Sequence, residues 1–164
     1  MSFGSSYKTS DFIVDTLEAW WQGLSAKEQG KIERGQIKLA NGSESSGVRT
    51  QFLHRLVHLV DTIGKPIQLL YYPPSHSKYN PLERCWGIME LHWKGAQLID
   101  VETMREWAKR MTWKGLKPGV ELSCKVYEKG VSLSTSAMRA VDARLERNPL
   151  LPKWDILIRP AGAD

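Results

Sequence analysis

The sequence predicts an α/β domain, and three observations carry that prediction. Two short runs, one alternating polar and apolar over 36–39 and one apolar over 67–72, read as strands, and each is closed by a turn or proline signal. A helical stripe precedes the first run and another separates the two, so a helical crossover should join two parallel strands. The 164 residues are 41% hydrophobic and 25% charged, a balance that supports a buried core rather than disorder.

The first helix is read from Phe12, Ile13, Leu17, Trp20, Trp21 and Leu24, which recur with a period near 3.6 behind Ser10 and Asp11 as cap candidates. Trp20 and Trp21 are expected to pack it on the sheet. Ser25-Ala26-Lys27-Glu28 reads as a capping box opening a second, short helix. Gln36-Ile37-Lys38-Leu39 alternates polar and apolar and runs into Ala40-Asn41-Gly42, where Asn-Gly marks a tight turn. A long helix over 49–62 places Phe52, Leu53, Leu56, Val57, Val60 and Ile63 on one face, with Gly64 as its stop. The run over 67–72 ends at Pro73-Pro74, because proline cannot donate into a ladder. Helices are expected over 82–93, 101–111 (capped by Asp100) and 137–147, and 154–159 reads as a final strand or extended arm. An internal boundary is expected near 94–95, or else within 112–119. Two strands alone make a poor sheet, so this pattern calls for more.

Composition narrows the function classes. No apolar run approaches the ~18 residues of a membrane span. The start lacks a basic stretch followed by an apolar one, so no secretory leader is expected and the chain is assigned to the cytoplasm. Cys85 and Cys124 make neither a disulfide framework nor a zinc site. Lys and Arg number 23 against 18 Asp and Glu, a net charge of +5, which suits a polyanionic partner without requiring one. The excess is concentrated late, with Lys109, Arg110, Lys114, Lys117, Lys125 and Lys129 opposed only by Glu121 and Glu128.

The densest chemical signal runs from Tyr71 to Trp86 and contains His76, Lys78 and Asn80-Pro81-Leu82-Glu83-Arg84. Asn80 is a good N-cap, Pro81 suits the first helical position, and Glu83 can complete the cap. The alternative is that Glu83 holds a metal ion beside the sheet while His76, Lys78 and Asn80 contact phosphate. His54 and His58 are four apart on a helix, but no glutamate lies between them and no third ligand is evident.

The segment 73–86, with Lys38-Leu39-Ala40-Asn41-Gly42-Ser43-Glu44 upstream, resembles a bacterial DDE transposase core of the Rhodopirellula type, distantly similar to the mariner-like group. Met111-Thr112-Trp113-Lys114-Gly115 and Asn148-Pro149-Leu150-Leu151-Pro152-Lys153-Trp154 extend the resemblance over nearly the whole chain. It implies a ribonuclease H-like three-layer fold, with residues 1–95 as the back part of the catalytic core and 96–164 as a mostly helical extension. It further implies transposon-end DNA as partner, association with the nucleoid, no membrane, and metal-dependent strand cleavage and transfer. In that chemistry two aspartates and a glutamate hold two Mg²⁺ or Mn²⁺ ions, hard cations that prefer oxygen ligands.

Carried over residue by residue, Glu83 matches the family's glutamate and metal ligand, and Arg84 and Lys114 join His76, Lys78 and Asn80 as DNA-contact candidates. The second aspartate's position is Ala40. The first belongs on a strand ahead of the helix at 11–24, so the chain is expected to be N-terminally truncated. Asp11, Asp15 and Glu44 are poor replacements by position. The expectation is a transposase fragment that holds its metals unproductively and is catalytically inactive. The alternative is a DNA-binding or transposase-binding regulatory module acting on a full-length relative. A third reading is that position 40 was altered in an active parent.

Overall fold

A computed structural model of the chain describes residues 2–4, 9–40, 42–43, 45–72, 91, 101–112, 114–117, 119–130 and 132–162. The described elements begin with β1 (Ser2–Gly4), α1 (Ser10–Gln22), α2 (Ala26–Lys31), β2 (Gly35–Leu39), α3 (Thr50–Ile63) and β3 (Ile67–Tyr71). They continue with α4 (Val101–Arg110), β4 (Glu121–Ser123), α5 (Thr135–Asp142), β5 (Leu145–Arg147) and β6 (Asp155–Ile158). The chain forms two compact units: Lys8–Pro74 with Tyr127–Asp164, and Met1–Tyr7 with Ser75–Val126.

The larger unit is built on a four-stranded mixed sheet in the order β2-β3-β6-β5. β2 and β3 pair in parallel, with Ile37 opposite Leu69, as strands joined through a helix should. β6 runs antiparallel to β3 and β5 antiparallel to β6, which supplies the two further strands that the pair required. Alternate residues of β3 and β6 are buried, so one sheet face carries the core. Ile67, Leu69, Tyr71, Ile156 and Ile158 meet Phe52, Leu53, Leu56, Leu59 and Val60 of α3, with Val14 of α1 and Val141 of α5 completing the cluster. The opposite face carries a polar row. Gln36 Nε2 donates to Gln68 Oε1 at 3.4 Å, Gln68 Nε2 to Asp155 Oδ1 at 2.9 Å, and Asn148 Nδ2 to Asp155 Oδ2 at 3.0 Å. Those two amide donors hold the Asp155 carboxyl below its ordinary range. Among the described residues α1, α3 and α5 contribute to the core on one face of the sheet.

The helix ends follow local chemistry. The Ser25 capping box is present, with the Ser25 N–H donating to Glu28 Oε2 at 2.8 Å and the Glu28 N–H to Ser25 Oγ at 3.3 Å. Gly64 ends α3 in the left-handed region at φ 66°, where glycine carries no steric penalty. α1 is capped by Thr9, one residue ahead of the expected Ser10, because the Thr9 hydroxyl is placed to accept from the Phe12 N–H. The helix expected to run to 147 stops at Asp142, and Leu145–Arg147 pair with β6 instead. Trp20 is 58% exposed rather than packed on the sheet, its ring 6.4 Å from that of Trp21.

In the smaller unit β1 and β4 form a parallel pair, with Phe3 opposite Leu122. α4 carries Glu102 in its first turn and Lys109 and Arg110 in its last, which complements the helix dipole. Among the described residues, Ala108 on α4 and Met111 just beyond it are buried. The helix expected over 82–93 lies outside the described residues, save Leu91.

Candidate functional site

β2 and β3 are parallel and in register, so their carboxyl ends lie side by side, where α/β sheets commonly present ligands. Ala40 follows the last residue of β2 there, its side chain exposed. Its neighbour across the ladder is Tyr72, whose N–H donates to the Leu39 carbonyl at 2.9 Å. The Gly42 N–H donates to the Ala40 carbonyl at 2.8 Å, which confirms the tight turn read from Ala40-Asn41-Gly42.

The loop that returns the chain from this point to α3 is fixed from three directions. Tyr71 Oη donates to the Ser45 carbonyl at 2.7 Å, and burial pushes that phenol well above its ordinary pKa. Arg147 Nη2 donates to the Gly47 carbonyl at 2.9 Å and Nη1 to the Pro152 carbonyl at 2.8 Å. Gly47 itself lies so close to the β5–β6 connection that a Cβ would stand 2.4 Å from the Lys153 carbonyl oxygen. Only glycine fits without a shift.

Three acids near the start of the chain bear on whether a substitute ligand exists. Asp11 and Asp15 stand one turn apart on α1, and Arg55 of α3 bridges them, with Nη1 2.5 Å from Asp11 Oδ1 and Nη2 2.5 Å from Asp15 Oδ1. Gln51 Nε2 adds a bond to Asp11 at 3.1 Å and Tyr127 Oη one to Asp15 Oδ2 at 2.8 Å. Burial pulls the Arg55 guanidinium down, but its bonds to Asp15 and Asp11 outweigh this and leave it raised overall. These carboxylates therefore join α1 to α3. Glu44 lies outside the described residues.

The sequence matches the family described as Rhodopirellula transposase DDE domain over residues 1–160. The chain belongs to this DDE transposase family. No curated protein and no solved structure matches it.

For a DDE transposase the resemblance assigns the second aspartate to position 40 and the glutamate to position 83. Of the candidate residues, Ala40 and Lys114 fall among the described ones. Glu83, His76, Lys78, Asn80 and Arg84 lie outside them. Lys114 sits in an exposed turn after α4 with φ 51°, followed by Gly115 at φ 76°. The family uses divalent metal. The described residue that follows β2 does not fit a carboxylate ligand for a metal ion, because the Ala40 side chain is a methyl group. Among the described residues no three His, Cys, Asp or Glu side chains converge. None of the described helices is long and apolar enough to cross a membrane.

His54 and His58 are exposed along α3. Cys124 is an exposed free thiol. A cleft of about 570 Å³ opens between Val48, Thr50, Leu53, Met138, Asp142, Leu145 and Arg147, and Ala40 does not line it. Its one guanidinium, Arg147, is already held by two carbonyls. The Arg55 and Arg147 bridges escaped the sequence reading because each joins residues 40 or more apart, except Arg147 to Pro152. The acid pair at 11 and 15 was the single local signal for a cation between them.

Proposed function

We propose that this chain is a DDE transposase domain of ribonuclease H-like type that does not itself cleave or join DNA. The observation that carries the reading is Ala40, an exposed methyl at the carboxyl end of β2, where the resemblance requires a metal-binding carboxylate. Glu83 alone cannot hold two cations in fixed geometry, since each needs several oxygen ligands and charge neutralisation. Asp11 and Asp15 do not compensate, because both are engaged by the partly buried Arg55 and recruiting either would strip that guanidinium of one of its two carboxylate partners. Incubation with Mg²⁺ or Mn²⁺ and a supercoiled plasmid should give no nicked or joined product. Metal-dependent cleavage that disappears in Glu83→Gln would overturn the reading.

A second reading keeps DNA as partner without the chemistry. It is favoured by Lys114, Lys117 and Lys125, all exposed in the smaller unit. Phosphate contacts make binding fall steeply with salt, so affinity for duplex DNA should drop by about tenfold or more between 50 and 200 mM salt. Binding that ignores salt would exclude this reading.

A further inference from the structure

The connection between β5 and β6 forms a tip that is held rigidly yet leaves its apolar side chains in solvent. Leu150 is 88% exposed and Leu151 44% exposed, between Pro149 and Pro152. The Leu150 N–H donates to Asn148 Oδ1 at 3.0 Å and the Leu151 N–H to the Asn148 carbonyl at 3.1 Å. The Leu151 carbonyl accepts in turn from the Trp154 and Asp155 N–H groups, both at 3.0 Å. Arg147 Nη1 clamps the Pro152 carbonyl. A turn fixed this firmly has little conformational entropy left to lose, which favours the use of its leucines as anchors in a contact. Beside the tip, the cleft of about 570 Å³ has Val48, Leu53, Met138 and Leu145 as apolar walls. The two features adjoin at two points. Arg147 lines the cleft while it holds the tip, and Val48 follows Gly47, which abuts the Lys153 carbonyl.

We propose that the tip of one copy of the chain seats Leu150 and Leu151 in the cleft of a second copy, reciprocally, about a two-fold axis. Charge selects that occupant. Asp142 lines the cleft and Lys153 stands on the tip; both are exposed, and neither has a charged partner among the described residues. Asp142 is the last residue of α5, where the helix dipole disfavours a carboxylate, so its place there does not serve the helix. Seating the tip in the second copy's cleft brings Lys153 to Asp142 and covers the leucines with apolar walls. Val48, 63% exposed, is covered in the same contact. A polyanion such as DNA would instead meet Asp142 with a like charge and leave the apolar walls unmatched. Because tip and cleft adjoin, an axis between them satisfies both contacts at once. Insertion without that symmetry would leave one tip and one cleft open and would propagate into a chain of copies.

The full chain should sediment as a dimer with a Kd on the order of 100 µM, since the contact is smaller than a standard interface. Leu150→Asp should raise that Kd roughly tenfold or more, because each dimer loses two anchors. Asp142→Lys and Lys153→Asp should each weaken the dimer about fivefold, and the double variant should recover it to within about twofold. All three positions are exposed, so circular dichroism should stay unchanged in every variant. A chain that stays monomeric up to about 1 mM would overturn the proposal. So would a dimer that ignores Leu150→Asp, or charge reversals whose effects add in the double variant, since either result places the contact on another surface.

Discussion

The two edges of the four-stranded sheet are finished in different ways. β5 is short, and the stretch around it is tied down by charged side chains. Arg147 reaches the Gly47 and Pro152 carbonyls, Glu146 pairs with Arg159, and Arg144 grips both oxygens of Asp61 at 3.0 and 2.7 Å. The Ala161 N–H adds a further bond to Asp61 at 2.9 Å. β2 is longer, has no such ties along its outer side among the described residues, and is followed by the exposed Ala40. Short length and inward-directed charges are the usual means of protecting a sheet edge. Among the described residues, their presence at one edge and absence at the other make β2 the less tightly secured of the two.

The contrast can be broken at its middle first. Leu69→Ala removes a fully buried side chain from β3 and should cost about 3 kcal/mol in chemical denaturation, whereas Ile37→Ala in half-buried β2 should cost about 1 kcal/mol. Equal costs would mean that the β2 edge is as well covered as the interior. Gly47→Ala acts on the secured side, pushing a methyl against the Lys153 carbonyl, and should lower stability by about 2 kcal/mol. A neutral result would show that the loop after β2 is not tightly docked on the β5–β6 connection.

The smallest effect is one of pH. Bonds from Arg144, and then from the Ala161 N–H, hold the Asp61 carboxyl below its ordinary value, as the Gln68 and Asn148 amides do for Asp155. A carboxyl with a lowered folded-state pKa stabilises the fold above the unfolded value of about 4 and loses that contribution as pH falls through the folded one. The melting temperature should therefore be flat from pH 7 to 5 and decline below about 4. Asp155→Asn should reduce the decline by less than about 1 kcal/mol, as these groups are partly solvated.

Much of the larger unit was legible because its signals are local. The Ser25 box, the Gly64 stop and the alternation of Gln36–Leu39 each need only a few neighbouring residues. β5 was not, since Leu145–Arg147 continue a helical stripe and become a strand only by pairing with β6. Trp20 was misread for a related reason: the stripe of α1 is wider than the face it buries. At the candidate site, position 40 was placed correctly at a strand end by its Asn-Gly turn. The fate of Asp11 and Asp15 was not, because their partner Arg55 lies on another helix.

The exposure of Ala40 separates two kinds of selection. Its side chain lies outside the core, so folding places little demand on which small or polar residue stands there. Phe52 and Leu69 have no such latitude, because any change leaves a cavity or a clash. A lineage released from the need to move DNA would drift first at positions like 40 and keep its core nearly intact. The scaffold would then outlast the reaction for which it was built.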